Sequence, residues 1–462
     1  MTPRRRLHDM EVRDPIHGLI EYDELEERVI NSRALQRLRG IRQLAMAYLV
    51  YPGAVHTRFD HSLGVMHVAG EIARSLNSYY EEHDHKKVLD AEEVEDVRLA
   101  ALLHDVGHGP FSHVSETPLA ALSADYLQGK TIRPEKLHEL VTVDIITHDA
   151  ELESILGKRR HRLANIVSHS ARPSVSQAIV SGPLDADKFD YLLRDSHFCG
   201  VKYGVYDIER ALDGLRVVRA PSGDSYLSVA EESVPAIEQH LMARYQMTLQ
   251  VYRHRIRRST DILLSRAILL AAEECEEIKR LYSYGGDPRE FCTRWEAYDD
   301  RRLLDTILAH CRKSSAAPIA ECLIRRRLPL RVLDVALTDV GTRFLQGKLA
   351  KPERRRELEA RIAARLRANS DLVIVDLVQT DPPSPASAEP GIDPDSVYVE
   401  TDHGLRSFRE VSDLFRHFPV GGTKRVVVFA PFRETEREAR RKEREGLLGE
   451  LEEEMEQWGK EA

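Results

Sequence analysis

A mainly α fold is what this sequence predicts: a helical core, a small hairpin and a smaller C-terminal α+β lobe. Three observations carry it. Apolar residues recur at helical spacing through most of the first half of the chain. One alternating stretch, LRVVRAPSGDSYLSVA, interrupts them around Ser222, Gly223 and Asp224 and reads as a hairpin. After about residue 345 the texture becomes a helix, an apolar strand and a Pro/Ser-rich break, ARIAARLRANSDLVIVDLVQTDPPSP.

The elements follow in order. Short extended pieces from Val12 to Tyr22 flank the turn DPIHG, where Pro15 and Gly18 exclude a helix. Leu35, Leu38, Ile41, Ala45 and Tyr48 place one helix over Leu25–Tyr48, and Val65, Ala69, Ile72 and Leu76 a second over His61–Leu76. A third spans Ala91–His104 and closes at Gly107. Glu135–Thr147, Arg159–Ser170 and a stretch from Asp185 read as further helices, and Ser233 to about Lys279 as a long one. In the lobe, SVYVET and KRVVVFAP join the apolar strand in one sheet. The expected boundaries are 1–345 for the main helical part, 346–432 for the lobe and 433–462 for a charged, solvated terminal helix.

Composition narrows the chemistry. Of 462 residues, 42% are apolar and 31% charged, an ordinary soluble balance. No stretch has the ~20 continuous apolar residues of a membrane helix. MTPRRRLHDM lacks the apolar run of a signal peptide, so the expected location is cytoplasmic. Five cysteines, at 199, 275, 292, 311 and 322, form no CxxC. Any metal must therefore be held by imidazole and carboxylate. Those donors suit Mn, Fe, Zn, Co or Ni without choosing among them. A net charge of -9 gives no general reason for nucleic-acid binding.

Such donors concentrate in three places. LLHDVGHGPFSH ends the third helix with His104, Asp105, His108 and His113; YPGAVHTRFDHSLGV leads to His56, His61 and, further on, His67; PLDADKFDYLLRD carries Asp185, Asp187, Asp190 and Asp195. Asp185 reads as an N-cap rather than a ligand. Gly107 and Gly109 suit either a tight turn or an ordinary helix end.

With RDPIHGLIEYDEL, LQRLRGIRQL, LHE, LDADKFDYLLRDSHFCG and YRHR, these segments form an ordered set over roughly residues 12–260. It resembles the HD-domain phosphohydrolases, in particular the SAM- and HD-domain dNTP triphosphohydrolases and their bacterial relatives. The resemblance implies a helical HD-domain core with one divalent transition metal on His61, His104, Asp105 and Asp187. It implies hydrolysis of deoxynucleoside triphosphates to deoxynucleoside and triphosphate, with Mg accompanying the substrate phosphates. His108 is the implied acid/base group, assisted by His138, with Glu139 either orienting His138 or capping its own helix. Arg58, His113, Lys188, Tyr191 and Arg244 are the implied phosphate contacts. Gln43, Leu44, Asp195 and Tyr252 are the implied sugar contacts. His67 is left to packing.

The relatives assemble as homodimers or homotetramers and bind activating nucleotides. The matching positions are Asn31, Gln36 and Arg39, with His254 and Arg255; the basic run 253–258 reads equally as a subunit-contact patch. Asn31 replaces the acid that reads guanine in the vertebrate enzyme, and Arg13 replaces an asparagine, so guanine-specific activation is not implied. Two alternatives stand beside this reading: an HD-type phosphomonoesterase acting on nucleoside monophosphates, and a non-catalytic protein that binds nucleotides or single-stranded nucleic acid, the latter not favoured.

Overall fold

The computed structural model describes residues 10–128, 136–168, 173–220, 222–337, 347–380, 396–418 and 423–431, together with Glu445. The expected terminal helix at 433–462 lies, apart from Glu445, outside the described residues. Contacts divide the chain into two compact units that alternate along the sequence. One comprises Met1–Val251, Glu277–Leu304 and Pro383–Phe418; the other comprises Tyr252–Glu276, Asp305–Pro382 and Pro419–Ala462. No helix among the described residues is long and apolar enough to cross a membrane.

The first unit opens with an antiparallel pair, β1 (Glu11–Asp14) and β2 (Gly18–Glu21). Asp14 Oδ1 accepts from the backbone N–H groups of Ile16 and His17, and Gly18 supplies the positive φ of 78° that closes the turn. The single helix expected over Leu25–Tyr48 is broken. α1 (Glu24–Ile30) starts in an Asp23/Glu26 capping box and stops at Asn31. The Ser32 hydroxyl donates to the Val29 carbonyl, and α2 (Arg33–Arg37) restarts the chain. Two 3-10 turns follow, Leu38–Gly40 and Ala47–Leu49. The short pieces bury one side in common, including Leu35, Leu38, Ile41 and Ala45, so the helical periodicity runs on through the breaks.

α3 (Arg58–Asp84) begins earlier than expected because Thr57 and Asp60 form a capping box. It packs against α4 (Ala91–Leu103), which Asp90 and Glu93 cap and which ends at His104. α5 (Glu116–Leu122), α6 (Ala124–Leu127), α7 (Leu137–His148), α8 (Ala150–Leu156), α9 (Arg159–Val167) and α10 (Val175–Val180) continue the helical layer. α11 (Ala186–Cys199) also packs on α3. Asp185 is its N-cap, as read from sequence, and Gly200 with φ 68° ends it. α12 (Ile208–Asp213) leads into the predicted hairpin, β3 (Leu215–Arg219) and β4 (Ser225–Ala230).

The long helix expected from Ser233 to Lys279 is also interrupted. α13 (Val234–Met247) passes into a π-turn at Thr248–Tyr252. α14 (Arg255–Glu274) begins anew with His254 as its N-cap, and α15 (Glu276–Tyr282) follows. Further on come α16 (Pro288–Glu296), α17 (Asp300–His310) and α18 (Ala316–Ile324).

In the second unit, β5 (Leu330–Ala336), α19 (Pro352–Leu366), β6 (Ile374–Thr380) and β9 (Thr423–Ala430) surround one core of Val332, Leu358, Ile362, Val375, Val426 and Val428. Its sheet order is β5-β9-β6, all antiparallel. The expected single lobe sheet is therefore corrected. β7 (Tyr398–Thr401), from SVYVET, pairs parallel with β4 and antiparallel with β8 (Gly404–Ser407), so it extends the hairpin sheet of the first unit. β5 takes the place it was expected to fill.

Candidate metal centre

α3, α4 and α11 each deliver part of one donor cluster. His61 lies one turn into α3, His104 and Asp105 follow the last turn of α4, and Asp187 sits in the first turn of α11. His61 Nε2 is 2.9 Å from Asp187 Oδ1 and 3.6 Å from Asp105 Oδ2. His104 Nε2 is 3.3 Å from Asp105 Oδ1 and 3.7 Å from Asp187 Oδ1. All four ligands implied by the sequence are thus brought together. Three of the four spacings are close to the about 3.3–3.6 Å expected between neighbouring donors arranged tetrahedrally around one ion at ~2.0–2.2 Å, and the His61–Asp187 pair is somewhat closer.

Their orientation fits a cation. His104 Nδ1 bonds the Ala101 carbonyl at 2.7 Å, and His61 Nδ1 bonds Asp190 Oδ2 at 2.7 Å, so both rings turn Nε2 to the shared point. Among the described residues His104 Nε2 is buried and, although near Asp105, makes no hydrogen bond of good geometry. Electrostatics agree. Burial alone would lower the His61 imidazole, but the carboxylates of Asp187 and Asp190 outweigh it and raise it to about 10. Burial likewise opposes charge on Asp187, yet the two imidazoles hold it well below the usual carboxylate range. The carboxylates keep protons on these rings where no cation neutralises them, the behaviour of a site built for positive charge.

Behind His61 lies a network that the sequence did not announce. Asp190 is fully buried and accepts from Arg194 Nε at 2.8 Å, and it meets His17 Nε2 at 2.7 Å. Arg194, 0% exposed, also bonds Asp14 Oδ2 at 2.7 Å. The buried pair needs room. A Cβ on Gly64 would stand 1.9 Å from Asp190 Oδ1, so only glycine lets α3 approach α11 here. His67 packs near the ring of His17, with centroids 5.1 Å apart.

A second cluster adjoins the first through Asp105, whose Oδ1 is 3.2 Å from His108 Nε2. His108 stacks on His138 with ring centroids 4.0 Å apart and lies edge-on to His113 at 4.8 Å. Burial, then the Arg58 guanidinium, hold the His108 imidazole well below its ordinary value, and its Nδ1 has no hydrogen-bond partner among the described residues. Glu116 joins the other two rings: its Oε1 is 2.6 Å from His138 Nδ1 and 2.8 Å from His113 Nδ1. Glu139, expected to orient His138 or cap its own helix, pairs with Lys136 at 2.9 Å. His108, His113, Glu116 and His138 form a second set of clustered metal-capable donors.

The loop carrying His108 is fixed from outside. Arg37, buried on α2, donates to the carbonyls of Val106, His108 and Tyr298, and Trp295 Nε1 donates to that of Gly107. Gly107 and Gly109 are required by close packing: an added Cβ would meet the His138 carbonyl at 2.3 Å or Trp295 at 2.6 Å. Phe111 and Ser112 take left-handed φ values of 59° and 60°, each at a cost of about 1–2 kcal/mol.

The other expected residues distribute unevenly. Arg58 is buried and donates to Asp105 Oδ2 at 2.5 Å and to the Ser112 hydroxyl. Lys188 pairs with the cap Asp185 at 2.7 Å. Tyr191, whose hydroxyl burial raises, lies in the field of exposed Arg244 and of Lys188. Gln43 and Leu44 are buried, and Gln43 Oε1 has no hydrogen-bond partner among the described residues. Asp195 is buried and bonds His56 Nε2 at 2.7 Å. Asn31 ends α1, while Arg39 donates to Gln36 Oε1 and stacks over Phe59 at 3.5 Å. Tyr252, His254 and Arg255 belong to the second unit. There Arg253, Arg257 and Arg258 of the basic run engage the Gln379 carbonyl, Asp261 and Asp376.

A helical frame that converges two imidazoles and two carboxylates beside a histidine cluster defines a metal-binding hydrolase centre. The HD domain model matches residues 58–195, and the HD associated region model matches residues 212–447. The chain belongs to this HD phosphohydrolase family. It is 36% identical over 263 residues to the uncharacterized protein MJ1154 of Methanocaldococcus jannaschii, covering 57% of this chain and 50% of that one. It is 30% identical over 276 residues to the deoxynucleoside triphosphate triphosphohydrolase SAMHD1 of Gallus gallus, covering 55% and 44%. A hypothetical protein from Aquifex aeolicus, solved as a crystal structure, superimposes with a TM-score of 0.64 at 27% identity over 91% of this chain and 96% of that one. The chain spans about half the length of the curated relatives it matches.

Proposed function

We propose that this HD phosphohydrolase cleaves deoxynucleoside triphosphates into deoxynucleoside and intact triphosphate. The observation that carries the reading is the junction of the two clusters at Asp105: a member of the donor set, it places Oδ1 3.2 Å from Nε2 of His108, which stacks on His138. Kinship with SAMHD1, named for that activity, supports it.

Bound to His61, His104, Asp105 and Asp187, a divalent transition metal would supply a Lewis acid and an acidified water. The chain's own groups do the rest. Hydrolysis adds a water oxygen to the α-phosphorus and breaks its bond to the 5′-oxygen. One proton must leave the water and one must reach that oxygen. His108 and His138 lie together beside the donors, and Glu116 orients the His138 ring through its Nδ1. Lys188, Tyr191, Arg244 and His113 offer cationic and hydroxyl donors to the polyphosphate. Arg58 keeps Asp105 ionised and aligned, and retains N–H groups for a phosphoryl oxygen.

The test is incubation of the metal-loaded chain with each dNTP, alone and mixed, with products resolved chromatographically. Tripolyphosphate is expected, and Asp187→Ala abolishes its release. Turnover only in mixtures would establish nucleotide activation. Release of orthophosphate from nucleoside monophosphates, with dNTPs untouched, replaces this reading with a phosphomonoesterase. Binding of oligonucleotides without turnover of either substrate replaces it with a non-catalytic protein.

A further inference from the structure

Two separated segments carry three of the nine implied substrate contacts, Gln43, Leu44 and His113. Residues 41–44 hold Gln43 and Leu44, and residues 111–113 hold His113 and the Ser112 hydroxyl on which Arg58 rests. Neither is held by regular secondary structure alone. Ala45 takes a φ of 49°, and Phe111 and Ser112 are both left-handed, conformations that side-chain-bearing residues keep only under constraint.

One side chain from a distant part of the sequence joins them. Asp300, at the start of α17, accepts from the Phe111 N–H through Oδ1 at 2.5 Å and from the Arg42 N–H through Oδ2 at 3.1 Å. It is 6% exposed. The approach is close: a Cβ on Gly40 would lie 2.6 Å from Asp299 Oδ2. Thus the Asp299–Asp300 corner is pressed against the first segment while it reaches the second.

We propose that Asp300 is a positioning residue that clamps segments 41–44 and 111–113 into one substrate-binding surface. The proposal rests on the function proposed above, although the clamp itself is a property of the fold. Asp300 faces Arg42, Asp299, Arg37 and Tyr282 among charged and titratable groups. Burial, only partly offset by the two N–H donors, pushes its carboxyl up to about 7. Ionised, both oxygens are full acceptors. Protonated, one becomes a hydroxyl, a poorer acceptor, and one amide loses its strong partner. The clamp therefore loosens as pH falls through about 7.

Asp300→Asn keeps the size and cannot titrate, but turns an NH2 toward one of the two amides. Steady-state kinetics with a dNTP, between about pH 6 and pH 8, bracket the Asp300 carboxyl. The variant is expected to raise KM roughly tenfold at the upper end, with kcat far less affected, since contacts that bind are displaced while the donors for the metal stay in place. The parent's KM climbs toward the lower end and the variant's stays flat. Hydrogen exchange reads the clamp directly: the Phe111 and Arg42 amides lose protection in the variant and, in the parent, on acidification after correction for intrinsic rates. An unchanged KM, or a pH break that persists in the variant, overturns the proposal. If the parent turns over no dNTP, the function falls, and exchange alone decides on Asp300: unaltered protection of both amides refutes it. If the variant does not fold, the parent's own exchange across the same pH range decides.

Discussion

Asp190 Oδ2 and His61 Nδ1 are 2.7 Å apart in a fully buried contact, and this bond sets which nitrogen His61 offers to the metal centre. The ring cannot turn without breaking it, so Asp190 governs the donor set without being part of it. Asp190→Asn should therefore weaken divalent-metal affinity by about 10–100-fold. Competition with a chromophoric chelator measures this; a folded variant with the parent's affinity refutes the coupling.

The same contact explains a strict demand on Gly64. A methyl group there would come within 1.9 Å of Asp190 and 2.3 Å of Arg194, neither of which can leave its buried pairings. Gly64→Ala is expected to destabilise the chain by about 1–3 kcal/mol, read as a lower urea midpoint. A midpoint equal to the parent's contradicts the packing described.

Glu116 holds two imidazoles through one oxygen, at 2.6 and 2.8 Å. Glu116→Gln replaces the carboxylate that orients both rings with a neutral amide while leaving the four metal donors intact. The expected result is a loss of about 10²-fold in kcat with an unchanged metal content per chain. Parallel loss of metal would show instead that Glu116 supports the donor cluster.

His240 is buried between Phe189 and Tyr206 with neither ring nitrogen bonded among the described residues, and burial, then Arg244 and Lys188, lower it to about 3. The unfolded chain binds this proton below about pH 6.5 while the folded chain does not until about pH 3. Across that window the unfolded state holds more protons, so stability falls with falling pH. Relative to His240→Leu, the parent should lose up to about 1.4 kcal/mol per pH unit of acidification, and nothing above about pH 7. Denaturant melts of both proteins through the range check it; parallel curves exclude a neutral buried His240.

How much of this was legible in the sequence varies with the kind of signal. The donor types were legible because metal chemistry restricts them to imidazole and carboxylate, but the choice of His61, His104, Asp105 and Asp187 among many such residues came from the resemblance carried by the ordered motifs. Glu116 was not legible, because Glu139 adjoins His138 in sequence whereas Glu116 meets it only across the fold. Asp190 and Arg194, four apart on a helix, look like a surface ion pair, and only burial distinguishes them. The breaks at Asn31 and Thr248 were invisible to periodicity, since the fragments bury a common side. The pairing of Tyr398–Thr401 with Ser225–Ala230 is a parallel contact far along the chain, for which no local pattern exists.

That last pairing bears on how the molecule can be dissected. A cut at residue 345 looks natural from composition, yet it would remove β7 and β8 from the sheet of one unit and β6 and β9 from the sheet of the other. Each remnant would be left with a raw strand edge. Truncation there does not yield a minimal catalytic fragment; it damages both units at once, and lost activity in such a piece says nothing about the severed segment's chemistry.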